Sequence, residues 1–145
     1  MKAITIHTML SLKEIELIEE SWCKLSNIAT VIITHDFYEH LFEKHPETKL
    51  FFKMDLQVLK QKLADTLDVL IQNIRNFDAL VPQLKTMGQK HDDINIKSGH
   101  YTYVKDSLLF VLSKRLGKDF NEDTKLAWGK LLDLVSEKMI EGEGR

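Results

Sequence analysis

Between Asp55 and Ile74 the apolar residues Leu56, Leu59, Leu63, Leu67, Leu70 and Ile74 follow one another at steps of three or four, the spacing of one face of an α-helix. No other feature constrains the fold as much. A stripe about five turns long, opened by an aspartate that can accept from the free amides of a first turn, needs a second apolar surface along its whole length.

The rest of the chain supplies such surfaces in helical form. Six glycines and two prolines leave few of the turns a sheet protein needs, and no strand pair, internal repeat, linker or low-complexity tract is evident. Ser11-Leu12-Lys13-Glu14 has the form of a capping box, so a first helix is predicted from about Ser11 to Leu25, carrying Ile15, Ile18 and Trp22. After Ser26-Asn27 a second helix carries Ile32, Ile33, Phe37, Tyr38, Leu41 and Phe42, and Pro46 ends it or opens a short turn toward Leu50-Phe51-Phe52. Pro82 suits the first turn of a later helix that bears His91 near its end, and the stretch from Asp92 to Gly99 reads as a connection. Two more helices are predicted, from about His100 to Leu116 with Gly117 as the stop, and from about Asn121 to Met139. Six or seven helices of unequal length, with a short broken one after the second, predict an all-α, crossed-helix sandwich rather than a regular bundle.

Composition bounds the function. A chain of 145 residues with 43% hydrophobic content fits one domain, residues 11–145, behind a loose leader at 1–10 in which Met9 is an alternative start. Such a domain buries roughly two-thirds of its unfolded surface, enough to enclose a ligand. The formal charge of −2 arises from interspersed acids and bases with no basic block, so nucleic acid is not an expected partner. Cys23 is the only cysteine, which excludes an internal disulfide and a cysteine-based zinc or iron–sulfur site and suits a reducing, cytoplasmic setting. The first ten residues lack the unbroken apolar run of a signal peptide, and no membrane span is expected.

His91 stands one and two turns beyond Met87 and Leu84, on the apolar stripe of an otherwise polar segment. A neutral imidazole on an oily wall suits a soft cofactor metal; the plainer reading of the residue alone is a packed core histidine. His35, His40 and His45 are five residues apart, about 140 degrees round a helix, so they do not converge as ligands and are expected at the surface. His35, three before Tyr38, is a weaker candidate as its neighbour. Charged faces such as Lys60-Gln61-Lys62 are expected to be solvated.

The order Phe37-Tyr38-Glu39-His40-Leu41-Phe42-Glu43-Lys44-His45-Pro46-Glu47, Phe52, Asn73-Ile74 through Leu80-Val81-Pro82 to Lys90-His91, His100-Tyr101 and Ala127-Trp128-Gly129-Lys130 resembles the bacterial single-domain globins. It is closest to the group of Vitreoscilla haemoglobin and the globin domains of flavohaemoglobins, over about Leu12 to Met139. The resemblance implies a three-over-three helical sandwich around one haem b. It places the proximal ligand, the one metal-ligating residue, on His91. Phe52, or Phe51 in the alternate register, becomes the flat apolar wall a porphyrin needs. Tyr38 becomes the distal phenol that donates to a gas molecule at the iron. The distal position where the family often has glutamine or histidine falls on Leu59 by ungapped count from His91, with Leu63 one turn on; Gln57 and Gln61 lie close by. Tyr101 matches a pocket tyrosine that, with a glutamate matched by Glu143, holds the proximal imidazole, while the backbone carbonyl of Met87 is the more conservative partner.

The function implied is reversible dioxygen binding for transport or storage, with carbon monoxide and nitric oxide as further ligands. A nitric oxide dioxygenase is the second reading; with no flavin or nicotinamide domain following in this chain, a separate reductase would have to serve it. A haem-based gas sensor or interaction protein is the third.

Overall fold

The structure, a computed structural model, describes residues 10–25, 27–52, 55–93 and 100–142, without the side chains of 91–93. Among the described residues are six α-helices, three short 3-10 turns and no strand. Most of the predicted leader lies outside them.

Helix ends fall where local chemistry puts them. Helix α1 spans Leu12–Lys24; Ser11 Oγ accepts from Glu14 N at 3.1 Å and Glu14 Oε1 accepts from Ser11 N at 2.7 Å, the reciprocal bonds of the predicted capping box. Helix α2 spans Thr30–Lys44, and Pro46 opens the 3-10 turn Pro46–Phe51. Helix α3, Leu56–Gln72, is capped by Asp55, whose carboxylate accepts from Gln57 N at 2.8 Å. A second 3-10 turn, Ile74–Leu80, leads into α4, Val81–Asp93, which therefore continues two residues past His91. Helix α5 is His100–Leu116, stopped by Gly117 at φ +55, a conformation glycine adopts without steric cost. Helix α6, Glu122–Glu141, is capped by Asn121.

These helices pack as two layers of three. α1, α3 and α4 form one and α2, α5 and α6 the other, with α1 and α4 crossing α6 and α3 crossing α2. This is the expected three-over-three sandwich. Its tightest region lies at the crossing of α1 and α6, where Ile18 and Trp128 are fully buried. There Ser21 Oγ donates to Ile18 O at 2.9 Å and accepts from Trp128 Nε1 at 2.8 Å, so the two buried polar groups satisfy each other. At the crossing of α4 and α6, Gly88 lies against the Met139 carbonyl so closely that a Cβ would collide with it. The missing side chain lets α4, the helix of His91, lie down on α6.

The face of α3 differs from the expected single stripe. Its buried residues are Lys60, Ala64, Leu67, Leu70 and Ile71, whereas Leu59 and Leu63 are half-buried and Leu56 and Val58 are exposed. The helix is packed on two sides: α2 covers the face of Lys60, Ala64 and Leu67, and the stripe through Leu59 and Leu63 is left partly open. The expectation that Lys60 is solvated is thus corrected. Its stem is buried against α2, and only 6% of the residue is exposed.

Candidate ligand slot between the third and fourth helices

Tyr38 and Phe42, four residues apart on α2, point the same way, and the 3-10 turn begun by Pro46 returns the chain so that Phe52 meets them. The Tyr38 and Phe52 rings stand edge to face at 5.6 Å and 85°, Phe42 lies 5.7 Å from each, and Phe37 backs Tyr38 at 5.0 Å. Tyr38 is 6% exposed. Burial pushes its phenol up to about 12, which keeps it a neutral donor at physiological pH. The hydroxyl has no hydrogen-bond partner among the described residues. Nor is it one of the sealed, unpartnered polar atoms, of which the described residues hold none, so it retains access to open space.

Between α3 and α4 lies a cavity of about 200 Å3 whose apolar wall includes Leu70, Leu80, Leu84, Met87 and Val135, with Thr66 on the α3 side; none of Tyr38, Phe42 and Phe52 lines it. Thr66 and Leu70 continue the face of Leu59 and Leu63 by helical steps. Met87 and Leu84 place the face of α4 that position 91 shares, one turn further on; the side chain of His91 lies outside the described residues.

The sequence-predicted residues therefore divide. Tyr38 and Phe52 are brought into contact, Phe51 turns instead toward His100 at 4.7 Å, and Met87 lines the cavity. Leu59 and Leu63 are half-buried against the core without lining that cavity, and Tyr101 is buried at the start of α5. Glu143 lies outside the described residues. Thr66, Leu70 and Val135 were missed; the first two stand three and seven residues beyond Leu63, so the same stripe could have found them.

The three histidines of α2 and its end do not converge, and each has a partner of its own. His35 Nδ1 lies 2.9 Å from Lys60 Nζ, and its Nε2 lies 3.3 Å from Glu39. His40 Nδ1 lies 2.8 Å from Ser107 Oγ, with the ring stacked on Phe110 at 4.1 Å, and burial lowers its pKa. His45 stacks on Tyr103 at 3.6 Å. The expectation of free surface histidines is corrected for His40 and His45, which are half-buried. His35, Asp36 and Glu39 do present ligand atoms within 4.8 Å of one another, but Arg115 holds Asp36 and Lys60 holds His35. A wider open groove of about 900 Å3 runs between α2 and α5, walled by both signs of charge and crossed by that Arg115–Asp36 pair. It shares only Phe42 with the aromatic cluster.

The Globin family model matches residues 35–139. The chain belongs to the globin family. Among globin-containing relatives, a flavohemoprotein of Bacillus anthracis is 33% identical over 135 residues, 91% of this chain and 33% of the relative. One of Halalkalibacterium halodurans is 30% identical over 114 residues, 77% of this chain and 28% of the relative. This globin thus spans about a third of the length of these relatives. An engineered carbene transferase, provisionally assigned as a nitric oxide dioxygenase from Rhodothermus marinus, superposes with a TM-score of 0.83 at 27% identity, covering 94% of each chain. The two-layer packing is accordingly that of a globin. No helix among the described residues is long and apolar enough to cross a membrane.

Proposed function

We propose that this globin binds one haem b between α3 and α4, with His91 as the residue that would hold its iron, and that it binds dioxygen reversibly. The observation that carries the reading is Tyr38: a neutral, buried phenol with no partner among the described residues, ringed by Phe37, Phe42 and Phe52 and open to space. A phenol that is free to donate and has an apolar surround can give its hydrogen bond to a polar ligand. The half-buried apolar set of Phe52, Leu59, Leu63 and Met87 fits a flat, oily cofactor edge, since each leaves surface that a packed core would have closed.

When bound, the haem supplies an iron centre able to take up a diatomic gas. Each residue then has a separate task. His91 would hold the group from α4, Phe52 and Met87 would give it an apolar surround that excludes water, and Tyr38 would donate a hydrogen bond to a polar diatomic ligand. Leu59 and Leu63 carry no proton and keep the distal side dry, which strengthens that single hydrogen bond. Tyr101 is the candidate to steady the His91 side. Carbon monoxide and nitric oxide are ligands of the same site, and a cytoplasmic location is part of this reading.

A nitric oxide dioxygenase is the second reading, favoured by the flavohemoprotein relatives and by the Rhodothermus marinus neighbour. It needs a reductase as electron donor, and sustained conversion of nitric oxide to nitrate with a chemical reductant would establish it. For dioxygen binding the test is the off-rate in haem-loaded protein. Tyr38→Phe is expected to release oxygen about three- to tenfold faster, the worth of one hydrogen bond; an unchanged off-rate would remove Tyr38 from the site.

A further inference from the structure

Lys60, 6% exposed, is the one buried charged residue among the described residues. It is fastened twice to a single turn of α2. Its carbonyl accepts from Thr34 Oγ1 at 2.9 Å, and its ammonium meets His35 Nδ1 at 2.9 Å. An ammonium has only donors, so His35 Nδ1 must accept, the ring must be neutral and its proton must sit on Nε2. That nitrogen faces Glu39 Oε2 at 3.3 Å. The result is a directed chain from Lys60 through His35 to Glu39. These two bonds fasten the first turns of α3 to α2. Thr34 is one turn before Tyr38, and Leu59 and Leu63 flank Lys60 on α3, so the fastening sets how the distal wall stands against the phenol.

We propose that Lys60 and His35 are a positioning pair whose hydrogen bond fixes the rotation of α3 against Tyr38, so that retention of a gas ligand depends on His35 remaining an acceptor. This rests on the reading that the slot takes haem and a gas. The charged groups facing His35 are Glu39 on its own helix, Lys60 from α3, and the neighbouring Asp36, which Arg115 of α5 holds at 2.8 Å. Protonating His35 turns its acceptor into a second cationic donor aimed at the ammonium. The bond to Lys60 is lost, while Glu39 holds the ring outward.

Two readouts test the pair: oxygen dissociation from haem-loaded protein, and amide protection at residues 59–63 in haem-free protein, with exchange corrected for its intrinsic pH dependence, each followed from about pH 8 to about pH 5. In the unsubstituted protein, acidification is expected to raise the off-rate about fivefold and to lower the protection of 59–63 in parallel, each rate taken relative to its intrinsic value. His35→Gln offers an amide oxygen that accepts without titrating, so both profiles should be flat and slow. Lys60→Met keeps the buried stem and should be flat and fast. The same acid response in His35→Gln, or slow exchange and an unchanged off-rate in Lys60→Met, would overturn the proposal. If the protein takes up no haem, the functional reading fails by itself, and the exchange arm still decides the pair.

Discussion

The two ends of this sandwich are packed to different standards. Where α1 crosses α6, Ile18 and Trp128 are sealed from solvent and the indole N–H and the Ser21 hydroxyl satisfy each other. Around α3, Phe52, Leu59, Leu63 and Met87 stay half-buried and the phenol of Tyr38 has no partner among the described residues. Cores are filled to crystal-like density, so the proposed haem would complete the half-open side.

Truncation at the two ends should break the symmetry most visibly. Trp128→Ala removes a fully enclosed ring and the hydrogen bond it donates to Ser21, and should cost about 3–5 kcal/mol in urea unfolding of haem-free protein. Leu63→Ala at the open end should cost less than about 2 kcal/mol without haem, because less of the side chain is buried. Equal losses would mean that the slot is ordinary core.

Alkaline unfolding sharpens the contrast. Tyr38 titrates at about 12 in the folded chain against an ordinary 10, so its contribution to stability is intact below pH 10 and is lost as pH climbs through 12. The loss should be roughly 2–3 kcal/mol, and it should be missing from the alkaline decline of Tyr38→Phe. Identical declines would show that the phenol is solvated.

Leu59→Gln should have the smallest effect on stability, within about 0.5 kcal/mol at its half-open position. Its value lies in the gas kinetics: a glutamine facing the slot adds a second donor and slows oxygen release. No change would place another residue of α3 over the ligand, with Thr66 and its face as the alternative.

What could be read from the sequence was local. Ser11 with Glu14, Asp55, Asn121 and Gly117 each mark a helix end through bonds or backbone angles that involve only a few neighbouring residues, and the structure places those ends within a residue or two. What escaped depends on partners far along the chain. Lys60 reads as a solvated lysine until α2 brings His35, 25 residues away, to its ammonium. The α3 stripe reads as one face because periodicity cannot tell a helix packed on one side from a helix packed on two. The meeting of Tyr38 with Phe52 followed from the resemblance to bacterial globins, since nothing in the intervening Pro46 turn states where it returns.

The most direct test of the central claim is a haemin titration of the purified chain beside His91→Ala, followed by visible spectroscopy after reduction. The account predicts saturation at one haem per chain, a five-coordinate ferrous spectrum that shifts under carbon monoxide, and loss of that spectrum in the variant. An identical spectrum from His91→Ala, or no uptake by the unsubstituted chain, would contradict it.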